Sequence, residues 1–359
     1  MKAAAKKWIK FIVSAVIVVV TLSLLQAILM PKYSVDGPFE GAFVAEYYGE
    51  TKDHDVIFVG DCEVYENFSP IVLWRDYGIN SYIRGSADQY IYQSYYLLED
   101  TLRYETPKVV VFNVQALDPK REAEAKEAYN RMSIDGMKWS PSKIGAINSS
   151  MLEDEQFLDY VFPILRYHSR WSKLDKDDLA YMFKLEKVSH NGYLMKVGVK
   201  PAENVPEGRP LPNYEFTEKA WKHLDMMVEL CEKKGIKLLL IKAPSLYPYW
   251  YPEYDEQVVE YAEKHELTYI NFLDETIQAE TGVDYTKDTY DMGLHMNVEG
   301  AEKLASWLGK YLTENMGLTD RRGESELAAR WLDKIELYEK DKTEKYEKYE
   351  KEKENTEAN

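Results

Sequence analysis

The sequence predicts an α/β protein: a three-layer fold around a parallel sheet of about five strands, with a helical insertion and an N-terminal transmembrane helix. Three observations carry this. Short apolar runs alternate with helix-length amphipathic segments, a pattern that calls for crossover connections and a sheet covered on both faces. The alternation is interrupted once, over residues 118–215, where no strand period is visible. Residues 11–30 (FIVSAVIVVVTLSLLQAILM) run for 20 positions without a charge, the length needed to cross a hydrocarbon core as a helix.

The elements follow in order. Lys2, Lys6, Lys7 and Lys10 lie in the basic segment 1–10 ahead of the apolar run, so the positive-inside rule leaves the N-terminus in the cytoplasm and the remaining chain outside. A cleaved signal peptide is the alternative, but its apolar region is usually about 7–15 residues. Residues 31–52 form a connector, 53–316 the α/β domain and 317–359 a charged tail. The first strand is 56–60 (VIFVG) and the second 81–85 (SYIRG); a helix over 89–104 leads to the clearest central strand, 109–114 (VVVFNV). After the insertion come a helix over 216–234 stopped by Gly235, strand 236–241, a helix over 254–265, strand 267–273 and a last helix over 298–313 with Asn297 as its N-cap. The insertion is expected to pack over one edge of the sheet. Within the tail, residues 333–359, dominated by Glu and Lys (EKYEKYEKEKE), are expected to be a solvated helix or disordered.

The chain of 359 residues has a formal charge of −17, which argues against nucleic acid as a partner because phosphate binding needs a basic footprint. Its 2 cysteines, Cys62 and Cys231, exclude a disulfide framework and permit one bridge at most. The 6 histidines are scattered without metal-ligand spacing, so neither a metal nor another cofactor is expected.

In an open parallel sheet, ligands bind beyond the carboxyl ends of the strands. Three segments fall there: Gly60-Asp61-Cys62-Glu63, Gly85-Ser86-Ala87, and the run from Asp288 through Asp291 to His295 before the last helix. They can supply a nucleophile, an oxyanion hole and a base. Cys62 at a strand-to-helix turn would see a helix N-terminus, which favours a thiolate. Its own N–H and that of Gly85 can point at one developing oxyanion. His295 can take the proton, with Asp291 or Asp288 holding the imidazole. Asp61, Arg84, Asn113, Lys242, Ser245 and Tyr247 are further candidates for the cleft, and the aromatic run 247–254 can stack on sugar rings or simply cover the sheet. Cys231 lies at helical spacing with Leu224, Met227 and Val228, as a buried core thiol would.

On these motifs the chain resembles the SGNH/GDSL hydrolase family, over roughly residues 53–314 with the insertion interrupting. Gly60-Asp61-Cys62 stands where the family has Gly-Asp-Ser, Gly85 matches the block II glycine, and His295 with Met296 to Gly300 matches the last block. The nucleophile position is Cys, Met292 stands three residues before His295 where the family has Asp, and the block III Asn falls near Ala116 with Asn113 and Gln115 beside it. The resemblance implies a flavodoxin-like sheet, with Cys62, His295 and Asp291 as catalytic residues and Cys62, Gly85 and Asn113 as the oxyanion hole. It is narrowest to membrane-anchored extracytoplasmic proteins of Gram-positive bacteria, similar to those of teichoic acid D-alanylation and alginate O-acetylation. It thereby implies an esterase or O-acyltransferase acting on a cell-envelope glycopolymer or another acylated substrate, beside a membrane-bound O-acyltransferase. Two other classes stay open: a binding or assembly protein that kept the fold without the chemistry, and a redox-sensitive thiol at Cys62.

Overall fold

We describe a computed structural model that covers residues 2–29, 42–176, 178–179 and 189–357. Residues 30–41, which hold the end of the expected membrane run and most of the connector, and residues 180–188 of the insertion lie outside the described residues. The elements used below are α1 (Lys2–Leu29), β1 (Val56–Gly60), α2 (Cys62–Tyr65), α3 (Pro70–Tyr77), β2 (Ser81–Gly85), α4 (Ile91–Thr101) and β3 (Val109–Asn113). They continue with α5 (Glu127–Ile134), α6 (Pro141–Ser150), α7 (Ile164–Tyr167), α8 (Glu218–Lys234), β4 (Lys237–Lys242), α9 (Pro252–Lys264), β5 (Thr268–Asn271), α10 (Val298–Asn315) and α11 (Ser325–Glu357).

The five strands form one parallel sheet in the order β2-β1-β3-β4-β5. Strands buried on both faces carry near-continuous apolar runs, and β1 and β3 are buried at every position. Alternation along each strand divides the core in two. Val56, Phe58, Val109, Val111, Leu239 and Ile241 pack with residues of α3 and α10. Ile57, Val59, Val110, Phe112, Leu238 and Leu240 pack with residues of α4, α8 and α9. The result is the three-layer α/β architecture the sequence predicts. β1 and β3 are neighbours from which the chain continues to opposite sides of the sheet, so their carboxyl ends form the switch point where such folds bind ligands.

Local signals place the helices. Thr217 caps α8 by accepting from the Ala220 N–H at 3.0 Å, and Gly235 ends it in a left-handed conformation at φ 68°. Asn297 caps α10, accepting from the Gly300 N–H at 3.1 Å. The crossover helix α3 escapes a periodicity argument because it is short and largely buried.

The insertion sits differently from the expectation. Its helices α5 and α6 build a small core with Leu97 of α4 through Ile134, Ala146 and Ile147, so they cover the helical layer. Among the described residues, the stretch around residues 190–194 reaches the sheet edge. There the Ile83 N–H donates to the Asn191 carbonyl at 3.0 Å, and Asn191 Nδ2 donates to the Ser81 carbonyl at 3.0 Å. Those bonds satisfy the otherwise open edge of β2.

The charged tail is helical, as one of the two expectations has it, but it is not solvated throughout. It forms α11, whose first half packs against the domain because Leu327, Trp331 and Tyr338 lie on one face and join the main core. Trp331 stacks on Trp74 with ring centroids 5.2 Å apart and donates Nε1–H to Asn80 at 3.2 Å. The overall Glu/Lys composition hid three widely spaced anchors.

Trp331→Ala should therefore destabilise the detergent-solubilised chain by about 3–5 kcal/mol, the usual cost of emptying a buried aromatic site. Leu332→Ala, at a side chain 66% exposed on the same helix, should change urea unfolding by less than about 0.5 kcal/mol. Equal effects from the two substitutions would contradict the packed tail.

Candidate active site

The site begins at the end of β1. Gly60 has φ 153°, and a Cβ there would come within 2.5 Å of Val64 Cγ2, so only glycine lets the chain turn directly from strand into α2. Gly85, its neighbour across the β1–β2 pair, would place a Cβ 3.0 Å from the Gly60 carbonyl oxygen. Asp61 caps α2, accepting from the Glu63 N–H at 3.2 Å, and Cys62 is the helix's first residue. Cys62 and Cys231 are both free thiols, Cys231 on the buried face of α8 in the core.

His295 arrives from the other end of the domain. Its Nδ1 lies 2.7 Å from Asp291 Oδ2, and its backbone N–H donates to Asp291 Oδ1 at 2.8 Å. One carboxylate thus holds both ring and backbone. The carboxylate stands four residues before the histidine, one further than the family pattern, and a tight turn absorbs the difference. Met292 and Gly293 both adopt left-handed conformations, at φ 69° and 96°. Thr289 Oγ1 accepts from the Gly293 N–H at 2.7 Å and donates to the His295 carbonyl at 2.9 Å. Asp288, the other carboxylate the sequence offers, is engaged elsewhere: it binds Lys303 Nζ at 2.5 Å and accepts from the Asp284 N–H at 2.7 Å.

Two contacts dock this loop on the Cys62 segment. Asn67 Oδ1 accepts from the Met296 N–H at 2.8 Å, and the Tyr290 hydroxyl donates to Glu66. The Tyr290 ring lies nearly parallel to the His295 ring, with centroids 6.1 Å apart, and Glu66 Oε2 is 3.7 Å from His295 Nδ1. His295 is 7% exposed, and its Nε2 is buried with no hydrogen bond of acceptable geometry. The Cys62 thiol is close enough to that ring for each to shift the other's ionisation.

The electrostatics are asymmetric. Burial works against a charged imidazole, but the Glu66 carboxylate, the Cys62 sulfur and the hydrogen bond to Asp291 outweigh it and hold the His295 pKa well above its ordinary value. Burial is the largest influence on Cys62 and pushes the thiol up; the His295 ring pulls it down, while Asp61 and Glu66 push it up again. The net shift is upward. This corrects the expectation of a helix-stabilised thiolate: α2 is 4 residues long and is flanked by carboxylates.

A cleft of about 370 Å³ opens here, lined by Asp61 and Cys62 after β1, Asp88 after β2, Arg121 and Tyr129 from the insertion, and Leu294 beside the histidine. Arg121 spans its wall, donating to Asp61 Oδ2 at 2.6 Å and pairing with Asp88. Of the sequence candidates for this cleft, Asp61 and Cys62 line it. Arg84 does not. It shares a face of β2 with Tyr82, pointing toward α4, where it is fully buried over the Tyr47 ring and donates to the Val44 carbonyl at 2.8 Å and Asp100 at 3.3 Å. Lys242 lies beneath the floor, ion-paired with Glu63 at 2.9 Å, both side chains at most 1% exposed. Ser245 is buried and accepts from Asn67 Nδ2 at 3.4 Å. Tyr247 donates to the Asp291 carbonyl and so braces the turn. Trp250 and Tyr254 pack in the core, which makes most of the aromatic run cover for the sheet.

Asn113 departs furthest from its expected role. Its Nδ2 donates to Asp61 at 3.2 Å and Glu63 at 3.1 Å, and its Oδ1 accepts from the Ala243 N–H, so both amide protons are spent beneath the site. Sequence reasoning missed Glu66, Tyr290, Arg121 and Asp88. Glu66 stands one helical turn beyond Cys62 and Tyr290 is adjacent to Asp291, spacings that could have flagged them; Arg121, 60 residues from Asp61, had no such signal.

No protein-family model and no curated protein matches the chain. Among solved structures, it is similar to a candidate acylhydrolase from Bacteroides fragilis at 13% identity and a TM-score of 0.36, covering 76% of this chain and 95% of that one. It is also similar to a GDSL-like lipase from Bacteroides thetaiotaomicron at 14% identity and a TM-score of 0.35, covering 77% and 99%.

The ionisation pattern sets a pH dependence. Contacts to the charged His295 ring contribute stability that is fully present below the ordinary histidine value of 6.5 and is lost as pH rises through the raised value. Alkylation of Cys62 by iodoacetamide, followed by peptide mass, should be slower near neutral pH than that of free cysteine and should climb on the alkaline side. A rate already at its plateau at neutral pH would contradict the upward shift.

Proposed function

We propose that this chain is a membrane-anchored, extracytoplasmic acyl-transferring enzyme of the SGNH/GDSL type, an esterase or O-acyltransferase that carries its acyl group on Cys62. One observation carries the reading: Asp291 fixes His295 through Nδ1, and the buried ring lies close enough to the Cys62 thiol, which lines the cleft, for the two to influence each other's ionisation. That is the arrangement a general base needs to activate a nucleophile.

In the first half-reaction the Cys62 sulfur attacks the acyl carbonyl while Nε2 accepts the thiol proton. The carbonyl electrons collect on oxygen, next to the Cys62 N–H. Collapse breaks the ester C–O bond, the leaving alkoxide takes the proton back from His295, and a thioester remains. Water or an acceptor hydroxyl then gives its proton to His295, attacks the thioester and restores the thiol. The two acceptors distinguish hydrolysis from transfer. Because the His295 pKa is raised, the neutral base accumulates only toward alkaline pH, and turnover should rise in that direction.

Location supports a substrate in the cell envelope. Residues Lys6–Leu29 form a helix with mean hydropathy 2.6, long enough to span a bilayer. With its lysines inside, the cleft faces outward and close to the membrane, within reach of glycopolymers and of a membrane-bound O-acyltransferase. A second reading, a binding protein on the same fold, is favoured by the commitment of the Asn113 amide to Asp61 and Glu63.

Turnover of p-nitrophenyl acetate by the full chain in nanodiscs decides between them. Cys62→Ala and His295→Gln should each cut turnover by about 100-fold or more, the usual range for loss of a nucleophile or base. Wild-type turnover in both variants would leave the binding reading standing.

A further inference from the structure

We infer that the outward face of the insertion around residues 158–171 is a second membrane contact, seating the domain on the lipid interface next to the point where α1 emerges; this rests on α1 being a membrane anchor. Along α1 the side chains of residues 6–25 are exposed, those of 26–28 are partly covered and Leu29 is buried. The cover comes from the insertion: α1 touches α7 and the adjoining turn His168–Lys173. Arg170 Nη1 donates to the Leu29 carbonyl at 2.9 Å, satisfying a group that has no partner within its own helix. A bilayer-spanning helix leaves the hydrocarbon at its final apolar turn, so this contact puts α7 and its flanks at headgroup level.

The same segment displays large apolar side chains. Leu158, Phe162 and Leu165 are 52%, 46% and 55% exposed, and Trp171 is 73% exposed. Single exposed apolar residues are ordinary, but several large ones beside a membrane exit mark an interaction surface. Tryptophan favours the membrane–water boundary, and Lys173 close by suits lipid phosphates. The helices here are short and broken, Phe157–Val161 and then α7, and offer no long ridge for a partner helix. A bilayer interface demands no such register, which is why lipid is the occupant the face fits. Seating fixes the height and tilt of the cleft over the membrane, which a single anchoring helix alone does not do.

The test places the photocrosslinker p-benzoylphenylalanine, one position at a time, in place of Ile17, Leu165, Trp171 or Leu332 of the full chain in phosphatidylglycerol-containing nanodiscs, with lipid adducts read by mass. Lipid adducts at 17, 165 and 171 and none at 332 are expected. Adducts at 17 alone overturn the seating and leave the anchor intact, whereas none at 17 overturns the anchor. In native membranes, capture of a protein instead of lipid at 165 and 171 overturns the inference in favour of a docking partner.

Discussion

Asp291 holds the ring of His295 with one oxygen and its backbone with the other, and what the site can do follows from that double contact. With Nδ1 occupied, the ring has Nε2 left for proton exchange, and the Cys62 thiol is near enough to shift the ring's ionisation. The contact depends in turn on a strained loop. Met292 in a left-handed conformation costs roughly 1 kcal/mol, which Thr289, Tyr247 and the Leu246 N–H bond to Gly293 offset by bracing the turn. Asn67 and Glu66, both within one turn past α2, then hold the loop against the nucleophile segment. Base and nucleophile come from chain segments more than 200 residues apart yet share one set of hydrogen bonds.

From beneath the cleft to its wall runs a polar network: Lys242 to Glu63, Glu63 to Asn113, Asn113 to Asp61, and Asp61 to Arg121. Such networks contribute little net stability, because desolvation nearly cancels the attraction, yet removing one member leaves a buried charge exposed to that full penalty. They are better understood as positioning devices. Here the network fixes Asp61, which orients the turn at Cys62, at the expense of the Asn113 amide as an oxyanion donor. Arg121 ties the insertion to the same carboxylate, so the segment interrupting the α/β alternation supplies one wall of the site.

The sheet was legible because β1, β3 and β4 are short apolar runs between helical segments, and parallel burial leaves that trace in composition. Cys62 and His295 were legible because both stand at strand or helix boundaries, where the fold puts chemistry. Arg84 was misread because a strand residue near the carboxyl edge points to one of two faces, and alternation from Tyr82 sends it toward Tyr47. Asn113 was misread because proximity to the site does not reveal which groups will compete for an amide. The tail was misread because Trp331 and Tyr338, spaced for one helix face, are diluted among Glu and Lys. In each case the missing information is a tertiary partner far away in the chain.

The central claim is that Cys62, activated by His295, becomes acylated. Intact-mass measurement of the full chain mixed with an activated acetyl ester addresses it directly. The account predicts a single acetyl adduct that maps to Cys62, is released by hydroxylamine, and is absent from His295→Gln. An unmodified Cys62 under conditions where an exposed model thiol is acylated, or equal labelling with and without His295, would contradict it.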